Sequence, residues 1–201
     1  MKASSLKIVL GAAMMFGLAS TGMAASFDAF FPTFIKREGG FVNDPVDPGG
    51  AINKGITIGT FQGVAQPYLG IAPTLDNLKA LTDTQAAKIY KGMYWDHVRG
   101  DDIALQALAN IVFDFQVNAG SIATKLLQKT LNDLGAKPPL AVDGTIAPPV
   151  IAVLNGMDQK AVYRRYKQGR IRYYQDLVAK RPALGKFLNG WLLRVNSFPD
   201  L

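Results

Sequence analysis

Apolar residues recur with helical spacing along most of the chain. Between Phe27 and Ile35 they fall on one helical face, and Ser26 precedes them as a helix-capping residue. Thr82 and Gln85 have the spacing of a capping box before another helix. Residues 105–117 are apolar on nearly every side, which predicts a buried central helix. These patterns predict a mainly α protein.

One stretch, residues 41–60, breaks the helical pattern. Glycine, proline, asparagine and aspartate dominate residues 43–50, a composition that excludes a helix. Residues 55–59 follow as a short segment with β propensity. We therefore predict a loop and one small β hairpin near the N-terminus, within an otherwise helical α+β fold.

The C-terminal part is predicted to be helical. Leucines between 126 and 134 mark one helix, which Gly135 ends, and residues 150–154 mark a short one. Asp158 can cap a long basic helix that runs through Leu177. A last helix carries the apolar residues Phe187, Leu188, Trp191 and Leu192.

The first residues have the pattern of an export signal. Two lysines precede an apolar stretch, residues 8–19, that is too short to span a bilayer comfortably. Gly22-Met23-Ala24 offers the small residues that a signal peptidase recognises. We predict a signal peptide over 1–24 and a periplasmic protein, with a retained or slowly released anchor as the alternative. The remaining chain divides into regions 25–120 and 121–201.

Composition limits the chemistry of the chain. There is no cysteine and only one histidine, His97, so disulfides, thiol catalysis and multi-histidine metal sites are excluded. No cofactor or metal is predicted. Residues 25–120 carry 7 basic and 10 acidic side chains, whereas residues 121–201 carry 13 and 5. A basic C-terminal part suits an anionic polymer such as cell wall, nucleic acid or a membrane surface, or is simply a solvated face.

Glu38 is the only glutamate in the chain, and the first predicted helix ends at Glu38-Gly39-Gly40. It shares a helical face with Phe31 and Phe34, and apolar neighbours favour the protonated form of a carboxyl. A general acid needs that form near neutral pH. The alternative is a surface glutamate at a frayed helix end.

Two aspartates follow in the predicted loop. A glycosidase needs a second polar group that activates water or stabilises the positively charged sugar. The hairpin can fold Asp44 and Asp47 back over Glu38, and Thr57 on the hairpin can help to position a water. Simple turn formation by the two Asp-Pro steps is the alternative.

The segment from Glu38 to Thr57 resembles the signature of glycoside hydrolase family 108. This family contains N-acetylmuramidases of phages and Gram-negative bacteria, often labelled secretion-activating proteins. Weaker similarities at 94–95, 113–115 and 118–120 extend the resemblance over residues 27–120. Phe41 and Ile52 depart from it, because they stand where the family usually has tyrosine and threonine.

The resemblance implies a lysozyme-like fold with a cleft and implies that Glu38 is the catalytic acid. Asp47 lies nine positions after Glu38, the spacing of the catalytic aspartate in related phage lysozymes, and Thr57 lies in a similar Thr-Ile-Gly stretch. Both are therefore predicted to share the catalytic work. The residues predicted to contact substrate are Asp44, Asn53, Tyr94, Trp95 and Asn118, with core packing as the alternative for Trp95.

The C-terminal region resembles a small peptidoglycan-binding module at Leu127-Gln128 and at residues 142–145. Residues 147–149 depart from the expected pattern. The predicted long helix interleaves basic residues with tyrosines. We expect the tyrosines to pack against the body and the basic residues to meet peptide-stem carboxylates or lipid headgroups. The basic residues are Arg164, Arg165, Lys167, Arg170 and Arg172.

These features predict a monomeric muramidase, a lysozyme that hydrolyses the β-1,4 bond between N-acetylmuramic acid and N-acetylglucosamine in peptidoglycan. Export argues against a nucleic-acid partner, although cations and aromatics can bind one. Peripheral contact with a membrane or a secretion machinery stays open. The alternatives are a lytic transglycosylase and a non-catalytic peptidoglycan-binding protein.

Overall fold

The computed structural model describes residues 24–44 and 49–201. Nearly all of the predicted signal peptide, and Asp47, lie outside the described residues. The helices and strands are α1 (Phe27–Ile35), β1 (Ile52–Asn53), β2 (Ile56–Thr57), α2 (Ile58–Val64), α3 (Leu75–Lys79), α4 (Asp83–Tyr90), α5 (Gln106–Ala119), α6 (Ser121–Asp133), α7 (Pro148–Asn155), α8 (Gln159–Lys180) and α9 (Gly185–Asn196). Single π-helical turns, Ala65–Leu69 and Lys91–Trp95, extend α2 and α4.

The fold is mainly helical with one small hairpin near the N-terminus, which confirms the predicted fold class. Several helices begin at capping residues in the sequence, because each capping side chain accepts a backbone N–H that the first helical turn leaves unpaired. Ser26 caps α1, Thr82 and Gln85 form a reciprocal capping box at α4, and Asp158 caps α8. Among the described residues, no helix is both long and apolar enough to cross a membrane.

The hairpin pairs Ile52 with Thr57 and Asn53 with Ile56 in antiparallel register. Lys54 and Gly55 form its turn, with φ angles of 50° and 76°, the left-handed backbone that a tight two-residue turn requires. The predicted β segment 55–59 is too long. It ends at Thr57, whose Oγ1 accepts the Thr60 N–H and so starts α2.

The core extends through both predicted regions. Central helix α5 places Phe113 against Phe27, Phe30 and Phe34 of α1 in edge-on or near edge-on contacts. On the C-terminal side, Phe115 of the same helix meets tyrosines of α8 at 5.3–6.4 Å between ring centroids. The tyrosines of α8 therefore pack the helix onto the body, as the sequence predicts.

These buried tyrosines predict a loss of stability in alkali. Burial, with a smaller contribution from Asp200, raises the pKa of Tyr163 to about 12, and burial also raises the pKa of Tyr166 far above its ordinary value. Unfolded tyrosines titrate near pH 10. The folded state therefore binds these protons more tightly than the unfolded state. Their contribution to the free energy of unfolding is complete below pH 10 and falls as the pH rises through 12.

Urea denaturation between pH 9 and pH 12 tests this expectation. The midpoint should fall steadily above pH 10, and it should fall less steeply in Tyr163→Phe, which removes one titrating hydroxyl. Equal pH dependence in the parent and in this variant would contradict the assignment to Tyr163.

Candidate active site

Glu38 lies one turn past the end of α1. The backbone N–H groups of Arg37 and Glu38 bond back to Phe34 and Ile35, which continues the helix by a tight turn. Gly39 follows with a φ of 76°, in the left-handed region that favours glycine. The Glu38 side chain is 14% exposed, so the carboxyl is mostly buried but still open to solvent.

Arg194 of α9 is the direct partner of Glu38. Its Nη2 lies 2.7 Å from Oε1 of Glu38 and 2.7 Å from Oδ2 of Asp114, so one nitrogen bridges two carboxylates. Burial lowers the pKa of Arg194, but Asp114 and Glu38 outweigh that effect and raise it well above its ordinary value. Arg194 is therefore a permanent cation beside Glu38.

Asp114 extends the contact into the protein interior. Its carboxylate accepts hydrogen bonds from Nε of Arg194 and, at 2.6 Å, from Nη2 of Arg170. Asp114 and Arg170 have no exposed side-chain surface, and the Arg170 guanidinium stacks 4.8 Å from the Phe115 ring. The prediction that Arg170 meets an external partner is therefore wrong: a buried cation needs a carboxylate partner, and Asp114 supplies it.

The hairpin turn lies against the other side of Glu38. A Cβ atom on Gly55 would lie 2.8 Å from Oε2 of Glu38 and 2.5 Å from the Tyr90 hydroxyl. That hydroxyl donates to the Lys54 carbonyl at 2.9 Å, which fixes the turn to α4. Burial and then Glu38 raise the pKa of Tyr90 and Tyr94, so both phenols stay neutral beside the carboxyl.

Gly55→Ala is expected to reduce both stability and activity. The alanine would adopt an unfavourable positive φ, and its methyl would collide with Tyr90 and Glu38. We expect a loss of about 1 kcal/mol or more in the free energy of unfolding, measured with urea. Gly63→Ala is the matched control, because its methyl would meet no atom within 4 Å. A parent-like Gly55→Ala would contradict this close packing.

The loop that carries the predicted aspartates is closed at its base. Val42 and Ile52 exchange two backbone hydrogen bonds of 2.8 Å, which join the ends of residues 43–51. Asp44 is exposed on this loop. Thr57 is half-buried, and its hydroxyl also donates to Thr60 Oγ1 at 3.1 Å. The catalytic parts of Asp47 and Thr57 stay predictions.

The predicted substrate contacts differ in their surroundings. Tyr94 is partly exposed and close enough to Glu38 to be affected by its charge. Trp95 is fully buried and donates to Asp101, which favours core packing.

The two predicted asparagine contacts both bond the backbone. Asn53 is buried and donates to the carbonyls of Leu78 and Lys79, a structural arrangement. Asn118 is exposed and donates to the Asp114 carbonyl.

The motif of the C-terminal region forms an internal hydrogen-bonded unit. The Gln128 amide donates to Asp143 and to the Thr145 carbonyl, and its oxygen accepts from Gly144. Thr124 donates to the Gly144 carbonyl at 2.7 Å. These contacts give the leucine-glutamine helix and the aspartate-glycine turn a structural role. Among the residues described, no cluster of histidine, aspartate or glutamate suits a metal ion.

A helical body, a small hairpin and a partly buried carboxyl at the end of the first helix are together typical of lysozyme-like proteins. Residues 31–120 match the glycosyl hydrolase 108 family, and residues 122–196 match the predicted peptidoglycan domain. The chain therefore carries a glycosyl hydrolase 108 region followed by a C-terminal peptidoglycan-binding region. Together the two matches support a glycoside hydrolase with peptidoglycan as substrate or partner.

The chain is also similar to a solved structure, that of SagA from Brucella abortus. The two share 29% sequence identity over 86% of this chain and 90% of SagA, with a TM-score of 0.67. No curated protein matches the chain.

Proposed function

We propose that this protein is an N-acetylmuramidase that hydrolyses the β-1,4 bond between N-acetylmuramic acid and N-acetylglucosamine, with Glu38 as its catalytic acid. The observation that carries the proposal is the position of the chain's only glutamate. It lies within the glycosyl hydrolase region, between Arg194 and the hairpin turn, mostly shielded but still open to solvent.

Arg194 holds one oxygen of the Glu38 carboxyl. Its Nη2 lies 2.7 Å from Oε1 of Glu38, and the same nitrogen lies 2.7 Å from Oδ2 of Asp114. Because Arg194 engages Oε1, Oε2 is the oxygen that donates the proton to the leaving sugar.

The second catalytic group in this proposal is Asp47, assisted by Thr57. It would activate water or stabilise the positively charged sugar. The supporting observation is the Val42–Ile52 bridge, which holds both ends of the Asp47 loop next to the hairpin that contacts Glu38. We also propose that the protein is exported through the 1–24 signal and acts in the periplasm as a monomer.

Mass spectrometry of digested peptidoglycan tests the bond that is cut. Purified sacculi are incubated with the protein, and the soluble fragments are reduced with borohydride. Hydrolysis at N-acetylmuramic acid gives fragments that end in N-acetylmuramitol. Anhydro-muramic ends would show a lytic transglycosylase, and N-acetylglucosaminitol ends would show cleavage of the other glycosidic bond; either result contradicts the proposal.

A further inference from the structure

We propose that Arg194 is a positioning residue for Glu38, and that the C-terminal region thereby completes the reactive site. This inference depends on the proposed muramidase function. It goes beyond that function because it assigns the region matched as a peptidoglycan domain a part in the chemistry as well as in binding.

Contacts other than the one with Glu38 already fix the side chain of Arg194. Nε and Nη2 both bond the Asp114 carboxylate, at 2.7–3.1 Å, and Arg170 bonds the same carboxylate from the interior. The Arg194 guanidinium also lies 5.7 Å from the centre of the Phe34 ring. A guanidinium held by a fork of two hydrogen bonds has a defined plane, so its remaining contact sets the position of Oε1 of Glu38.

The helix that carries Arg194 is itself anchored by the chain end. Tyr163 donates to the Pro199 carbonyl at 2.6 Å, and Lys167 donates to the Phe198 carbonyl at 2.7 Å. Phe198 is buried, with its ring 6.1 Å from Phe30 of α1. The end of the chain thus ties α9 to α8 and to the first helix, and α9 presents Arg194 at the end of that first helix.

This arrangement has two consequences for proton transfer. A carboxyl with one oxygen held loses its rotational freedom and presents the other oxygen to the leaving group. Holding the acid in this orientation accelerates proton transfer. As the proton leaves, negative charge develops on Glu38, and a fixed cation at 2.7 Å stabilises that charge in the transition state.

The chain offers an unusually direct test, because Glu38 is its only glutamate. Protein labelled with [¹³Cδ]glutamate should give one glutamate carboxyl resonance, assigned by its loss in Glu38→Gln. We expect Arg194→Gln to change the chemical shift of this resonance, because the hydrogen bond from Nη2 of Arg194 to Oε1 is lost. Arg194→Lys keeps a charge and should stay closer to the parent. An identical chemical shift in the parent and in Arg194→Gln would overturn the inference.

Kinetics on soluble peptidoglycan fragments provide the second readout. Arg194→Gln should lower kcat about 10- to 100-fold with KM nearly unchanged. Arg194→Lys should also have a lower kcat than the parent, because one amine cannot reproduce the two-nitrogen hydrogen bonding to Asp114. Arg181→Gln, an exposed arginine of the same region, is the control.

The outcomes separate this inference from the proposed function. If the parent cleaves peptidoglycan and both Arg194 variants keep its kcat, the inference fails and the muramidase proposal stands. If the parent cleaves nothing, the muramidase proposal fails, and with it the positioning role, even though the carboxyl resonance still reports the Arg194 contact.

Discussion

Asp114→Asn should lower the free energy of unfolding by about 3–5 kcal/mol, the usual result of removing one partner from a buried ion pair. Asp114 bonds both Arg170 and Arg194, and neither Asp114 nor Arg170 has any exposed side-chain surface. Asparagine keeps the shape of the side chain but leaves the Arg170 cation uncompensated in the core. Urea denaturation at neutral pH measures the loss.

Asp133→Asn is the matched control for this change. Asp133 lies 3.4 Å from Arg165 in an ion pair with both side chains more than a third exposed, so its loss should cost less than about 1 kcal/mol. An Asp114→Asn protein as stable as this control would show that the buried network does not hold the C-terminal helices to the body.

Local signals in the sequence predict much of the fold. Ser26, Thr82 and Asp158 each cap a helix by bonding a backbone N–H two or three residues ahead, a distance that the sequence itself fixes. The hairpin near the N-terminus and the position of Glu38 close to the end of α1 were likewise predicted from local sequence. The hairpin boundary was wrong by two residues, because the capping of α2 by Thr57 took precedence over β propensity.

Contacts between distant residues could not be predicted in this way. Arg194 lies 156 positions from Glu38, and no motif joins the two. Arg170 lies in a row of basic residues typical of a solvated face, although it is buried. One signal was available: an aspartate at position 114, inside an otherwise apolar central helix, requires a cation from elsewhere in the chain.

Glu38→Gln should produce the largest loss of activity, about 10²- to 10⁴-fold, which is the usual contribution of a general acid. The glutamine oxygen can still accept a hydrogen bond from Arg194, so the site keeps its shape. Its amide has no proton acidic enough to give to a glycosidic oxygen. Binding to peptidoglycan should be unaffected, because the substitution changes one charge in a mostly buried position.

The rate at which new reducing ends appear on purified peptidoglycan tests the central claim most directly. The parent and Glu38→Gln are compared at equal concentration, with co-sedimentation of each protein with sacculi measured alongside. We predict at least about 100-fold fewer new ends for the variant, with equal co-sedimentation. Reducing ends released by Glu38→Gln at the rate of the parent would contradict the role of Glu38 as the catalytic acid.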